Sequence, residues 1–398
     1  MPRKPSTSHF LAAAVMCASL PLQVAAQSAS GRPLPSRGWT GQPTVAVDEE
    51  FDGNVFLLSD ARKTKLDGSA AAGTHYADMV SASDAITTLR MEFAAAGPGI
   101  RGKRVRITPE LEYVHYARNT ERTGFRYGVR ADQKMGNGGL LRLKLAMQPH
   151  TFFKNYLVDA VDRDLSGSIT TDERLYAPAR QGETALDGDY TLRLRKPSHH
   201  RILGASLRLA GGWYSRSYGS AFAARDLKGP SAGTTLLLHT SSGVRLDLGY
   251  ALAALAAPRM RTVMLLDETQ FDRDFNGNGT ITDVAARAEE MVDRSRSEQE
   301  FSAAFGSDLG RADVELEYAR RARSFGSKEP YDVGNNGRRD ARTTVGASLR
   351  YDLADAVRVR LTTRRGAQTL NRVDAGAGTG DVADYTRVRT SLGLEYRF

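Results

Sequence analysis

Along most of this chain apolar and polar side chains alternate one for one. Leu141, Leu143, Leu145 and Met147 alternate with Arg142, Lys144 and Ala146, and Val244, Leu246, Leu248 and Tyr250 with Arg245, Asp247 and Gly249. Val314, Leu316 and Tyr318 alternate with Asp313, Glu315 and Glu317, and Val357, Val359 and Leu361 with Arg358 and Arg360. Successive side chains of a strand point to opposite faces, so each stretch predicts a strand with one apolar and one charged side. Fourteen strands are predicted, near 42–50, 84–95, 103–117, 122–134, 139–149, 188–196, 203–215, 233–241, 244–255, 297–307, 312–323, 342–352, 356–365 and 385–398.

The connectors then choose between two all-β architectures. Those at 96–102, 135–138, 197–202, 242–243, 308–311 and 353–355 are short. The intervening ones, 51–83, 150–187, 216–232, 256–296, 324–341 and 366–384, are long, with 118–121 the exception. A two-layer sandwich has no reason to gather its long loops at one end. An even number of strands with tight turns on one side and long loops on the other predicts a closed antiparallel transmembrane β-barrel. Composition agrees. At 41% hydrophobic and 25% charged the chain is no disordered segment, and a mean hydropathy of −0.41 excludes a bundle of membrane-spanning helices. Past the N-terminus, the longest apolar run lies around Leu248–Ala257, far short of the ~20 residues of a spanning helix.

The first residues predict the compartment. Arg3 and Lys4 precede the mostly apolar His9–Leu22, and Val24-Ala25-Ala26 supplies small residues before Gln27. This is the pattern of a secretory signal peptide spanning 1–26, whose removal takes two positive charges and lowers the net charge from +9 to +7. The single cysteine, Cys17, leaves with it, so disulfides and thiol catalysis are excluded from the mature chain. Residues 27–41 read as a flexible periplasmic leader, and 42–398 as the barrel.

In the last strand Val388, Thr390, Leu392, Leu394, Tyr396 and Phe398 form one face and Arg387, Arg389, Ser391, Gly393, Glu395 and Arg397 the other. With its terminal Phe398, the mature chain resembles the Gram-negative outer-membrane β-barrel class. That resemblance implies the cell outer membrane as location, outer-membrane lipid as surroundings, and recognition by the barrel assembly machinery through Phe398. Tyr113, Trp213, Tyr214, Tyr318, Tyr351 and Tyr396 are then expected in aromatic girdles.

If the apolar face meets lipid, the charged face lines the lumen. It carries Arg104, Arg106, Arg126, Arg130, Arg142, Lys144, Arg193, Arg195, Arg208, Arg350, Arg358, Arg360 and Arg389. Opposing them are Glu110, Glu112, Asp247, Glu298, Glu300, Glu315, Glu317 and Glu395. Cross-strand pairing is their expected main role, with a modest preference for anions from the surplus of arginine.

The most specific local motif runs from Asp162 to Glu173 and resembles the EF-hand calcium loop over all twelve positions. Asp162, Asp164 and Ser166 stand at positions one, three and five, Gly167 at the turn, Ser168 at seven, Ile169 at the apolar eighth, Thr170 at nine, and Glu173 at the closing carboxylate. A second copy offers Asp272, Asp274, Asn276, Asn278 and Asp283, with the segment 272–285 open to two registers. Started at Asp272 it closes on Asp283 but puts Gly279 at the eighth position; started at Asp274 it fits Ile281 there but meets Ala285 at the close. Calcium is the implied cofactor, ordering two long loops over the barrel mouth, and Asn155–Val161 and Val284–Asp293 could form short flanking helices. Asp332, Asn335, Asn336 and Asp340 show no such spacing and are expected to be solvated turn residues.

Catalysis is not expected. His75, His115, His150, His199, His200 and His239 show no arrangement that announces a nucleophile and its base. The expected function is a porin-like channel or export pore for a polar solute or polymer. The alternative is a surface scaffold or adhesin-like barrel whose calcium-ordered loops bind an extracellular partner, and a calcium-dependent envelope hydrolase is a third class. No nucleic-acid partner is expected.

Overall fold

The computed structural model describes residues 38–60, 63–64, 66, 78–160, 174–195, 203–264, 288–328, 332, 335–371 and 384–398. The predicted signal peptide, residues 27–37 of the leader and both calcium-like segments lie outside the described residues.

Fourteen antiparallel strands close into one barrel. In chain order its strands are β1 (Thr40–Asp52), β2 (Asp84–Pro98), β3 (Arg104–Tyr116), β4 (Gly124–Lys134), β5 (Leu140–Ala160), β6 (Arg174–Arg195), β7 (Leu203–Tyr218), β8 (Leu227–Thr240) and β9 (Val244–Leu255). A separate two-stranded hairpin follows, β10 (Met260–Met264) and β11 (Ala288–Val292). The barrel resumes with β12 (Arg296–Asp308), β13 (Ala312–Phe325), β14 (Arg339–Ala354), β15 (Val357–Asn371) and β16 (Tyr385–Arg397). Each strand pairs with its sequence neighbour, β9 pairs with β12 past the hairpin, and β1 pairs with β16 to close the cylinder. Closure satisfies the backbone groups that an open sheet would leave at its edges.

The alternation maps onto the two sides of this wall. Exposed large apolar side chains stand on the outside, among them Leu143, Leu145, Trp213, Leu248, Phe301, Leu316, Val345, Leu361 and Leu392. Trp213, Tyr318, Tyr351 and Tyr396 are exposed there as well, and Tyr113 packs in the same outward row at 5.1 Å from Phe125. Tyr214 does not join them. It neighbours Trp213 on β7, so alternation turns it inward, where the Arg216 guanidinium lies 5.5 Å from its ring. Arg195 also leaves its expected row, because the β6–β7 register shifts between Arg193 and Arg195.

The long connectors hold the other departures. The connector expected over 150–187 is largely sheet, since β5 and β6 remain paired as far as Ala160 opposite Arg174. Strands therefore occupy the described flanks, 155–160 and 288–292, where short helices were expected. β1 also begins two residues before the expected leader boundary.

The main core is inside the barrel mouth. Val55, Phe56, Leu58, Leu66, Met79 and Ala82 of the β1–β2 connector cluster with Ile86, Val114, Tyr116 and Phe152 of the wall. Ile86, Val114 and Tyr116 occupy inward rows, so this connector folds into the lumen rather than away from it. Buried polar groups fasten it. Asn54 Nδ2 donates to the Leu58 carbonyl at 2.7 Å and to the Thr386 carbonyl on β16 at 3.0 Å, while its Oδ1 accepts from the Leu58 amide at 2.8 Å. Asp84 accepts from the Arg118 and Asn119 amides at 2.9 and 2.8 Å.

Candidate functional site

The site is the inner wall, and its residues follow from register. Thr88, Arg90 and Glu92 on β2 face inward, next to Glu110 and Glu112 on β3 and Arg126 and Arg130 on β4. Arg90 Nε lies 2.8 Å from Glu112 and 3.2 Å from Glu110. Asp132 takes Arg130 at 3.1 Å and Arg142 at 2.7 Å. On the far side Glu298 gathers Arg296, Arg321 and Arg323 at 2.7, 3.7 and 3.1 Å, and Arg245 meets Asp313 at 2.9 Å. Pairing is thus the main arrangement of the inner charges, as their order along the strands suggested. Pairs like these beside water contribute about 0–1 kcal/mol each, so they orient the wall more than they stabilise it.

Several pairs skip a strand, and inward glycines make room for them. Asp48 on β1 reaches Arg360 on β15 at 2.7 Å by passing over Gly393 of the intervening β16. A Cβ at Gly393 would overlap the Asp48 carboxylate. Gly346 on β14 plays the same part beneath the Glu317–Arg364 pair.

On β14–β16 cations outnumber their partners. Arg364 and Arg389 stand directly opposite each other, as do Arg350 and Arg360, and Arg342 faces Arg321. Asp52, fully buried, pairs in register with Arg389, yet its carboxylate is taken by Arg387 two residues away. Arg389 has no hydrogen bond and no carboxylate within 4.0 Å among the described residues. The buried Nε of Arg342 has no acceptor either.

Cavities line this surface. One of about 600 Å³ is walled by Asp48, Glu50, Arg90, Arg126, Arg350, Arg358, Arg360, Arg364, Arg387 and Arg389, and reaches Ile86 and Tyr116 under the inserted connector. A second, of about 460 Å³, is walled by Arg208, Asp247, Glu300, Glu317, Arg321, Arg342, Arg364 and Arg389. Arg364 and Arg389 border both.

Sequence reasoning placed Arg126, Arg130, Arg142, Arg208, Arg350, Arg358, Arg360 and Arg389 in the charged inner wall, with Glu110, Glu112, Glu298, Glu300, Glu315 and Glu317. It put Arg387 on the polar face of the last strand beside Arg389, but missed Arg342 and Arg364, although they share the parity of their neighbours Arg350 and Arg360. Among the described residues no group of three or more His, Cys, Asp or Glu side chains is arranged to hold a metal ion. The calcium-like positions Asp162, Asp164, Ser166, Ser168, Thr170 and Glu173, and Asp272, Asp274, Asn276, Asn278 and Asp283, lie outside the described residues. Their flanks are described: the Ala160–Arg174 and Met264–Ala288 pairs bracket the two segments between antiparallel strands.

The later turn is not solvated. Asp332, Asn335 and Asp340 are buried, at 1%, 3% and 3% exposure, while Asn336 is exposed. Asp332 accepts from the Asp293 amide at 3.0 Å and from Asn335 Nδ2 at 2.8 Å, tying the connector before β12 to the one before β14. Arg338 stacks 4.1 Å from the Phe325 ring and donates to Asp340 at 2.8 Å. Asn and Asp can fold inward where neighbouring backbone amides need acceptors, which composition alone does not reveal.

No family model and no curated protein matches the sequence. Among solved structures the chain is similar to the outer membrane channel DcaP of Acinetobacter baumannii, with TM-score 0.41 and 10% identity over 91% of this chain and 97% of that one. It is similar also to Acinetobacter baumannii OccAB3, with TM-score 0.38 and 9% identity over 90% and 99%. An anion-selective porin from Comamonas acidovorans gives TM-score 0.35 and 10% identity over 91% and 99%. Similarity at this level adds nothing to what strand order and register already establish.

Proposed function

We propose that this chain is an outer-membrane channel that passes small polar solutes and favours anions. One observation carries the reading: among the described residues Arg389 has no carboxylate within 4.0 Å and the Nε of Arg342 no acceptor, beside cavities enclosed by a barrel whose exterior is apolar. An apolar exterior is stable in hydrocarbon, and closed strands leave no backbone group unpaired there. Inside, paired charges hold the wall in place, while the unpaired guanidiniums supply net positive potential to a passing solute. A small anion would exchange part of its hydration shell for these donors and then leave, because the neighbouring arginines are already committed to carboxylates.

The inserted β1–β2 connector favours a second reading, a barrel closed at its mouth that serves as a surface scaffold. Calcium held at 162–173 and 272–285 would order the outer connectors under either reading, a proposal that rests on ligand spacing.

Planar-bilayer recording tests the channel. Under a potassium chloride gradient the native protein is expected to show steady conductance and a reversal potential favouring chloride. Arg389→Glu combined with Arg342→Gln lowers the anion-to-cation permeability ratio severalfold. A cation-favouring native reversal potential overturns the anion preference, and absence of current from inserted protein gives the scaffold reading the better claim.

A further inference from the structure

The outward face of β13–β15 breaks the apolar rule in one place. Arg320, Arg339 and Arg365 all occupy outward rows and are exposed. Arg320 lies opposite Phe301 on one side and Thr343 on the other, and Arg365 lies between Val345 and Val388. Phe301, Val345 and Tyr318 are large exposed apolar side chains, so these arginines rise from the part of the wall that carries the apolar surface. Among the described residues none of the three makes an ion pair, hydrogen bond or ring contact. No outward position on β12–β16 carries an acidic side chain.

Height decides what such a cluster can meet. Arg320 stands eight residues above the start of β13 at Ala312, and Arg365 eight above the start of β15 at Val357. At about 3.4 Å per residue and a tilt of roughly 40°, that is about 20 Å above the short-turn rim, near the top of an apolar band about 25 Å tall. Arg339, the first residue of β14, stands higher still. An arginine on the lipid face costs little near the interface, and its long stem lets the charge reach headgroup level. Arg320 and Arg365 at that level, with Arg339 opposite Ser324 four residues above Arg320, stand over side chains suited to acyl chains and are complementary to a lipid whose headgroup bears more than one phosphate. Guanidinium pairs bidentately with phosphate oxygens, and among the described residues these forks have no internal competitor.

We propose that Arg320, Arg339 and Arg365 form an outer-surface site for a glycolipid carrying two phosphates, in the leaflet on the long-connector side. The site rests on the membrane reading above and extends it to a specific annular lipid.

The test uses the full chain in detergent micelles, titrated with diphosphoryl lipid A, monophosphoryl lipid A or inorganic pyrophosphate, and read by native mass spectrometry and thermal unfolding. Diphosphoryl lipid A is expected to bind at least tenfold more tightly than the monophosphoryl form and to raise the unfolding temperature. The combined Arg320→Gln, Arg339→Gln and Arg365→Gln variant should lose that preference, whereas Lys228→Gln, an exposed cation on β8, should keep it. Equal binding by the triple variant, no preference for the second phosphate, or equally tight binding of pyrophosphate overturns the site. Insertion of the native protein into bilayers of zwitterionic lipid is scored separately. Failure there defeats the membrane reading, while insertion without lipid preference defeats this inference alone.

Discussion

Toward the long-connector end, the inward positions of β2 and β3 are Ile86, Val114 and Tyr116, with Phe152 of the bulged β5 packed beside them, whereas those of β14–β16 include Arg342, Arg364, Arg387 and Arg389. Both sides obey the same alternation, yet the first is roofed by Val55, Phe56 and Leu58 and the second borders cavities. An apolar side chain facing a watery lumen is stable only when something covers it, and a guanidinium is stable when left in water. The chemistry of the inward row therefore records where the chain fills its own interior.

The strongest way to break that contrast is to remove the roof. Phe56 is 1% exposed, lies edge-on to Phe152 at 6.4 Å, and has the Arg122 guanidinium 5.1 Å from its ring. Phe56→Ala is expected to cost about 3–5 kcal/mol in the local stability of the connector, and Leu58→Ala about 2–5 kcal/mol. In bilayer recordings the double variant should show larger or noisier conductance steps, and limited proteolysis should nick the β1–β2 connector first. Unchanged conductance and unchanged cleavage would mean that the connector obstructs nothing.

A finer contrast lies within β16. Arg387 and Arg389 share a strand and a face, but only Arg387 is paired, with the fully buried Asp52. Arg387→Gln strands that carboxylate and should lower stability by about 2–3 kcal/mol, toward the small end for a broken buried pair because Arg387 is partly exposed. Arg389→Gln breaks no hydrogen bond or close ion pair among the described residues and removes only the longer-range attraction to Glu50 and Asp52. Its stability should stay within about 0.5 kcal/mol of native while the reversal potential moves toward cations. Denaturant unfolding of both variants separates the two roles, and equal destabilisation would show that Arg389 has a structural partner after all.

How far the sequence carried differs in the same way between wall and mouth. Strict parity placed the short-turn ends of the wall strands to within a few residues, because a one-residue slip would turn every Leu toward water and every Arg toward lipid. By contrast, β5 and β6 run 11 and 14 residues past their expected long-connector ends. The inserted connector went unread, although its signal was present: β3 changes from Glu110 and Glu112 to Val114 and Tyr116 on a single face. Short-range patterns cannot say what covers such residues, since the cover comes from a different segment. Tyr214 was misplaced by grouping aromatics near strand ends without keeping their parity. Asp332 was misjudged because turn composition is the same whether its carboxylate meets water or a backbone amide.

Between the two sides lie the β5–β6 and β10–β11 hairpins, which bracket the calcium-like segments. If each binds calcium with a dissociation constant of ~10⁻⁴–10⁻³ M, as extracellular modules of this kind do, then 10 mM calcium adds roughly 1.4–2.7 kcal/mol per site. Isothermal titration should show binding heat that Glu173→Gln removes from the first site. No heat at millimolar calcium ends the proposal for both.

The smallest expected effect concerns the mouth above β12–β14, where polar contacts do the holding. Asp332→Asn replaces a carboxylate whose two oxygens accept separately from the Asp293 amide and Asn335 Nδ2 with an amide that has one accepting oxygen, at a cost of about 1 kcal/mol. Asp293 itself is buried, which pushes its carboxyl upward, but hydrogen bonds from Ser295 and Arg259 outweigh this and hold it below the ordinary carboxylate value. A depressed folded value means that the contribution is complete above the unfolded value near about 3.9 and fades as pH falls through the folded one. Amide exchange at Ser295 should therefore stay slow from neutral pH down to mild acid and quicken only below that range, with the step absent from Asp293→Asn. The roof over β2–β5 includes Asp52 and Asp84, but its apolar burial does not titrate, so amides around Phe56 should remain protected after Ser295 has opened. Simultaneous opening of both mouths would show that they are one cooperative unit, and the contrast between an apolar and an ionic side would then describe composition without governing stability.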